Sequence, residues 1–281
     1  MAEVIAEAPP RRAHEGDPRT FGAEGRPLPA NPSPSVPRRR LKGEIRPVTG
    51  LDAATRDAMW AVFDRYYVDV DRARFDADLD RKQDVIVLRD AADASVQGFS
   101  TLATYDGRMS GRAITLVFSG DTVIDRAYWG QSALHLHFTR YVVLAWLRHP
   151  WRPLWWLLIT KGWRTYLLLA KFFVRFWPRS GRTTPPEVRE TLDALGRRLW
   201  PDAWQPDAGI LHFSTPQGRL REGVAPVDPA VMDDPDVACF LERNPGHEAG
   251  DELVCLGHVS LGFALYTLWK LARRRRGRPG R

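Results

Sequence analysis

Between Arg126 and Pro186 the chain has no aspartate and no glutamate, although 34 acids are present in its 281 residues. The same stretch holds ten Arg and Lys residues and seven of the eleven tryptophans. A segment of this kind cannot be an ordinary solvated surface with mixed charge. Its cations present positive potential to an anionic partner, while its Trp, Leu and Phe side chains fill a core or an apolar slot. At single positions the Arg and Lys stems can equally lie over apolar surface with their heads in water.

The hydrophobic fraction of 44% is enough for a packed core without help from metal or disulfide. Cys239 and Cys255 are expected to be small buried thiols of a reducing, cytoplasmic compartment. Cys255 and His258 lie three apart with no second ligand pair, and His135 and His137 face different sides of a helix, so no metal is expected. His247 sits in a loop-like Asn-Pro-Gly-His-Glu run. Of the net charge of +7, residues 270–281 alone contribute seven positive charges and no negative one, so the basic balance does not argue for nucleic acid. No nucleic-acid motif accompanies the arginines. The Met-Ala-Glu-Val start has no apolar h-region of a secretory signal. Hydrolase, NTPase and dinucleotide signatures are absent.

Residues 1–42, rich in Pro, Arg, Gly and Glu, are expected to form a disordered leader. From Gly43 to Val48 the sequence reads as a strand. Asp52 then caps a helix to about Tyr66, and a short helix over 71–80 is anchored by Phe75 and Leu79. Strands are expected at 84–89, 96–105 and 113–124, with Asp106-Gly107 as a hairpin turn and Ser119-Gly120-Asp121 as an interruption marking a bulge. A helix from Tyr128 to about Leu147, a buried strand at 154–160 and a helix from Trp163 to about Trp177 follow. Neither helix has the uncharged length to span a bilayer. A further helix runs from Pro185 to Trp200, with a strand at 209–214 and loop-like sequence at 228–236. Val259–Ala272 reads as an apolar helix running into Arg273–Arg276.

This is an α+β order: strand, two helices, an antiparallel meander of three strands, then helix, strand, helix. It resembles the GNAT superfamily of acyl-CoA-dependent N-acyltransferases over residues 43–215. The resemblance implies a GNAT-like, mainly antiparallel mixed sheet flanked by helices, with 216–258 as a C-terminal extension and 259–281 as a helix with a polybasic tail. In that family a Gly-rich turn into a helix holds the cofactor pyrophosphate on its N–H groups. The matching run here comprises Arg126, Tyr128, Trp129, Gly130, Gln131 and Ser132, with Gly130 as the first glycine and Ser132 in place of the second. Arg126 lies one residue further from Gly130 than the family spacing. An ordinary strand-to-helix turn, with Gly130 needed only for its φ, is the other reading.

In the family's later helix a small residue precedes a Tyr that protonates the leaving thiolate. Ala170 matches the small position, but Phe173 stands where that Tyr would be, so either the acid is another group, with Tyr166 the nearest, or the thiolate leaves without protein help, or acyl transfer is lost. The Trp- and Leu-rich region 141–178 resembles the long-chain N-acyl amino acid synthase type more than a small acetyl-transfer enzyme. That resemblance implies a medium or long acyl chain delivered by acyl-CoA or by an acyl carrier protein, whose acidic surface suits a basic docking face.

An amine must lose a proton to attack a thioester. Asp121, at the strand interruption, is the first candidate base and Asp125 the second, though Asp121 also fits a turn residue bonding neighbouring N–H groups. The alternative to an enzyme is an inactive GNAT-like protein that binds acyl or lipid ligands or an anionic membrane surface. The helix and tail over 259–281 would supply that membrane contact.

Overall fold

The computed structural model describes residues 39–214, 218–221, 233–260 and 262. The expected leader up to residue 38, and all but Gly262 of the helix and tail expected after Ser260, lie outside the described residues. The first half runs β1 (Leu41–Pro47), α1 (Ala53–Tyr66), β2 (Tyr67–Val68), α2 (Arg72–Asp80), β3 (Asp84–Asp90), β4 (Val96–Met109) and β5 (Arg112–Ile124). The second runs α3 (Ala133–Arg148), β6 (Leu154–Thr160), α4 (Trp163–Phe172), β7 (Phe176–Trp177) and α5 (Pro186–Leu199). It continues through β8 (Trp204–Gln205), β9 (Ile210–Leu211), β10 (Arg219–Leu220), α6 (Pro235–Arg243) and β11 (Glu252–Val259).

One mixed sheet in the order β1-β3-β4-β5-β6-β11-β9-β8 organises these elements, with β7 also paired to β11. All of its pairings are antiparallel except β5 with β6. The fold is thus a mainly antiparallel sheet flanked by helices, as the element order implies. Alternation sorts the two faces. Ile86, Leu88, Val117, Trp156 and Leu158 pack against α3, α4 and α6. On the other face Val85, Val87, Phe99 and Val123 meet α1 and α2, while Phe118, Trp155, Leu157 and Ile159 meet α5.

The helix starts follow the caps in the sequence. Asp52 accepts from the N–H of Thr55 and Asp71 from that of Ala73, each satisfying a first-turn donor. Met59, Val62, Phe63 and Tyr66 bury one side of α1, where Phe63 stacks on Tyr67 at 4.5 Å and Phe75 meets Phe99 edge-on at 5.9 Å.

Several boundaries differ from the sequence reading. The β4–β5 hairpin turns at Ser110-Gly111, both at positive φ (48° and 75°), while Asp106 and Gly107 stay in the ladder opposite Thr115 and Ile114. The twist-matched turn needs two left-handed residues, and the next such pair wins over Asp-Gly. Helix α3 begins at Ala133 rather than Tyr128, because Gly130 at φ 78° breaks the run and only a short 3-10 turn forms over 126–128. Helix α4 ends at Phe172, not Trp177. Phe173 is extended, and Phe176–Trp177 pair with Gly257 and Leu256, which an extended residue before Pro178 permits. Val259 closes β11 opposite Leu154 instead of opening a helix. Part of the loop-like 228–236 stretch starts α6, with Asp234 as cap and Pro235 in the first turn. Among the described residues no helix is long and apolar enough to cross a membrane.

Candidate active site

The parallel pairing of β5 and β6 runs from Thr115 opposite Leu154 to Ser119 opposite Leu158, and stops there. Beyond it β6 pairs only outward, Ile159 with Val254 and Thr160 with Leu253, whereas β5 stays with β4 through Thr122, Val123 and Ile124. The two strands therefore part. At the point of parting β5 carries a bulge: Ser100 faces Thr122 and Leu102 faces Ser119, so Gly120 and Asp121 together oppose Thr101. Glycine is required at the first of these. A Cβ on Gly120 would lie 2.6 Å from Thr101 Oγ1 and 3.0 Å from Lys82 Cε. The bulge thus aims Asp121 off the regular ladder.

Asp121 opens onto a cleft of about 360 Å³ between α2, the bulge, the end of β6 and the start of β11. Phe63, Phe75, Tyr105, Phe118, Trp200 and Phe213 form its apolar walls. Asp78, Lys82 and Glu252 supply charge around it. Asp121 is 3% exposed. Burial, followed by the negative charge of Asp78, pushes its carboxyl up to about 7; Glu252 pushes in the same direction and Lys82 opposes them. A carboxyl with that value exchanges protons at neutral pH, which a general base requires.

Two ion pairs hold the surrounding charges in place. Lys82 Nζ lies 2.7 Å from Asp78 Oδ2 and over the Phe118 ring at 5.8 Å. Lys161, at the end of β6, lies 3.4 Å from Glu252 at the start of β11, with both side chains under 5% exposed, and also donates to the carbonyl of Gly218. Because the Lys82 cation favours ionised Asp121, Lys82→Gln is expected to raise the pH at which that carboxyl ionises. The midpoint of any activity that depends on Asp121 should move upward, and an unmoved or lowered pH profile would contradict this electrostatic picture.

The residues expected at the Gly-rich turn do not line this cleft. Tyr128 is buried and donates to Asp90. Trp129 Nε1 donates to Ile124 O at 2.8 Å. Gln131 is committed to β1, accepting from Leu41 N–H at 2.9 Å and donating to Arg39 O at 3.0 Å. Arg126 is exposed with its guanidinium over Trp129, and Gly130 is also exposed. Ser132 makes no side-chain cap to α3, whose first-turn N–H groups have no acceptor within the helix.

Asp125 accepts from the N–H of Ala127 and pairs with Arg65, a structural role at the end of β5. Tyr166 is fully buried away from the cleft. Its hydroxyl donates to Pro178 O at 2.9 Å and sits 3.6 Å from Cys239 Sγ, and burial pushes its phenol up. Phe173 packs on Trp156 at 5.4 Å. The structure therefore brings Asp121 to a cleft and sets Asp125 and Tyr166 apart from it.

No protein-family model matches this chain, and no curated protein does. Distant likenesses exist among solved structures. A probable N-acyltransferase of Enterococcus faecalis is 11% identical, with a TM-score of 0.35 over 57% of this chain and 44% of that one. The chain thus spans less than half of that protein's length. A GNAT family N-acetyltransferase of Escherichia coli, solved with CoA, is 15% identical over 47% of this chain and 72% of that one at a TM-score of 0.33. The Rv2747 protein of Mycobacterium tuberculosis, also solved with CoA, is 13% identical over 77% and 99% at 0.37. Likenesses this distant leave the functional reading to rest on the cleft itself.

The sequence reading did not single out Asp78, Lys82, Lys161 or Glu252 for the site. A signal existed for the last two. Lys161 follows seven buried strand residues directly, and Glu252 opens an equally buried strand, so each is a charge where the pattern calls for burial.

Proposed function

We propose that this chain is an acyltransferase of the GNAT superfamily, nearest the long-chain N-acyl amino acid synthase type. It would move an acyl group from acyl-CoA or an acyl carrier protein to an amine. The observation that carries this reading is Asp121, a buried carboxyl at a strand bulge, poised near neutral pH and facing a cleft where β5 and β6 part. The thioester lies along the parted strands with its phosphates toward Arg126, Gly130, Ser132 and the first turn of α3. The amine enters the aromatic cleft. Its nitrogen bonds to the thioester carbonyl carbon, Asp121 takes the nitrogen's proton, and the C–S bond breaks. The thiolate leaves without a tyrosine acid, since the Tyr166 hydroxyl is held by Pro178. The sulfur then takes its proton from solvent or from Asp121.

The Trp- and Leu-rich segment supports a medium or long acyl chain, because each buried CH₂ contributes roughly 0.8 kcal/mol. Its missing acids support an acidic carrier protein as donor. A second reading, an inactive acyl or lipid binder, is favoured by the internal hydrogen bonds that occupy Trp129 and Gln131.

The test is native mass spectrometry and turnover with acyl-CoAs from two to sixteen carbons and a panel of amines. Turnover that improves with chain length is expected. Binding without turnover would select the second reading, and a folded protein that neither binds nor turns over any thioester would overturn the first.

A further inference from the structure

Four large apolar side chains are exposed among the described residues: Leu144 at 44%, Leu147 at 56%, Trp151 at 76% and Val174 at 85%. Scattered singly, such residues need no explanation. Three of these four are not scattered. Leu144 and Leu147 share the outward face of the last two turns of α3 with exposed Arg140 and Arg148, all four within about a quarter-turn at 100° per residue. Further round the same turns Ala145 and Val142 are buried, and so is Tyr141 at the edge of this face. Trp151 follows in the turn that leaves the helix, with Arg152 beside it. The fourth residue, Val174, lies between buried Phe173 and exposed Arg175. No acid occurs between Arg126 and Pro186 in the sequence, although Asp106 of β4 pairs with Arg152 at 2.8 Å.

We propose that the outer face of the α3 C-terminus, with Trp151, is a docking surface for an anionic lipid bilayer. Leu144, Leu147 and Trp151 would enter the acyl boundary while Arg140 and Arg148 meet lipid phosphates. The chemistry of this face fits that occupant. Apolar side chains interleaved with cations on one helix face suit an interface that is apolar below and negative above, and tryptophan favours that depth. A purely apolar protein partner would leave the two arginines without counter-charge. An acidic protein would need apolar residues of its own, placed between its acids, to cover the leucines and tryptophan. This surface is distinct from the cleft and from the tail beyond residue 260, and its occupancy does not depend on whether the cleft is catalytic.

The test uses the full chain. In Leu147→Cys the new thiol is exposed, whereas Cys239 and Cys255 are buried, so an environment-sensitive dye labels this face. With vesicles containing phosphatidylglycerol the dye emission is expected to shift to the blue, and with pure phosphatidylcholine much less. In flotation, Leu144→Ser/Leu147→Ser/Trp151→Ser is expected to lower vesicle partitioning about tenfold or more. Arg140→Gln/Arg148→Gln is expected to lower the preference for anionic vesicles. Flotation of labelled protein without an emission shift would place the contact elsewhere and overturn the proposal. So would a blue-shifted dye before vesicles are added, a shift that depends on protein concentration alone, or a shift produced by an acidic carrier protein and not by vesicles. These results would name the chain's own segment, a second copy or a protein as the cover.

Discussion

Asp121→Asn is expected to lower acyl transfer by about 10²–10⁴-fold, the range for losing a positioned general base, while the protein stays folded. In the wild-type protein kcat/KM should rise with pH through about 7, where the buried carboxyl ionises, and that rising limb should vanish in the variant. Stability makes an independent readout. The folded value lies above the ordinary 3.8, so the group disfavours folding once the unfolded chain ionises. The loss is absent below about pH 4, grows as pH rises toward 7 and is constant above that. At about 1.4 kcal/mol per unit it reaches on the order of 4 kcal/mol. The asparagine variant escapes this loss, less whatever its own amide hydrogens cost in the cleft. It should therefore be the more stable protein at pH 8 and equal to wild type near pH 4 in urea unfolding. An inactive variant that is also less stable at pH 8 would mean that Asp121 holds structure. A fully active variant with its pH limb intact would remove Asp121 from the chemistry.

That Asp121 was visible in the sequence, and most of its surroundings were not, has a physical reason. Ser119-Gly120-Asp121 breaks an apolar strand with residues that strands disfavour, and such a break is local information. The caps at Asp52 and Asp71 and the unbroken apolar run of β6 are local in the same sense, and the structure places those elements where the sequence does. The cleft, by contrast, is made by partners far apart in the chain. Glu252 reaches it because β11 inserts between β6 and β9, and no local periodicity reports a pairing across about ninety residues. Helix ends fared worst where tertiary pairing competes with propensity. Phe176 and Trp177 continue a helical apolar pattern on paper, yet their backbone is taken by β11. Tyr128 and Gln131 show the same limit for side chains. Their types suit a binding turn, but Asp90 and the backbone of β1 claim them.

The pair Lys161–Glu252 is the second place where a large effect is expected. Both side chains are almost fully buried, Lys161 directly after the apolar strand β6 and Glu252 as the first residue of β11. Taking one partner away leaves the other's charge in the interior with less compensation, which typically costs about 3–5 kcal/mol, whereas replacing both by apolar groups is often near neutral. Lys161→Met should therefore lower stability by about that amount. For a chain of this size the melting temperature would fall by about 6–20 °C. Lys161→Met/Glu252→Leu should recover most of the loss. The single variant should also regain stability as pH falls and Glu252 takes a proton, a rescue the double variant cannot show. The pair reaches the chemistry as well, because Glu252 is one of the charges that raise Asp121. In the double variant the rising limb of activity should begin at lower pH than in the wild type. A Lys161→Met protein that melts within two degrees of wild type, or a double variant no better than the single, would show that this pair does not carry the cost its burial implies.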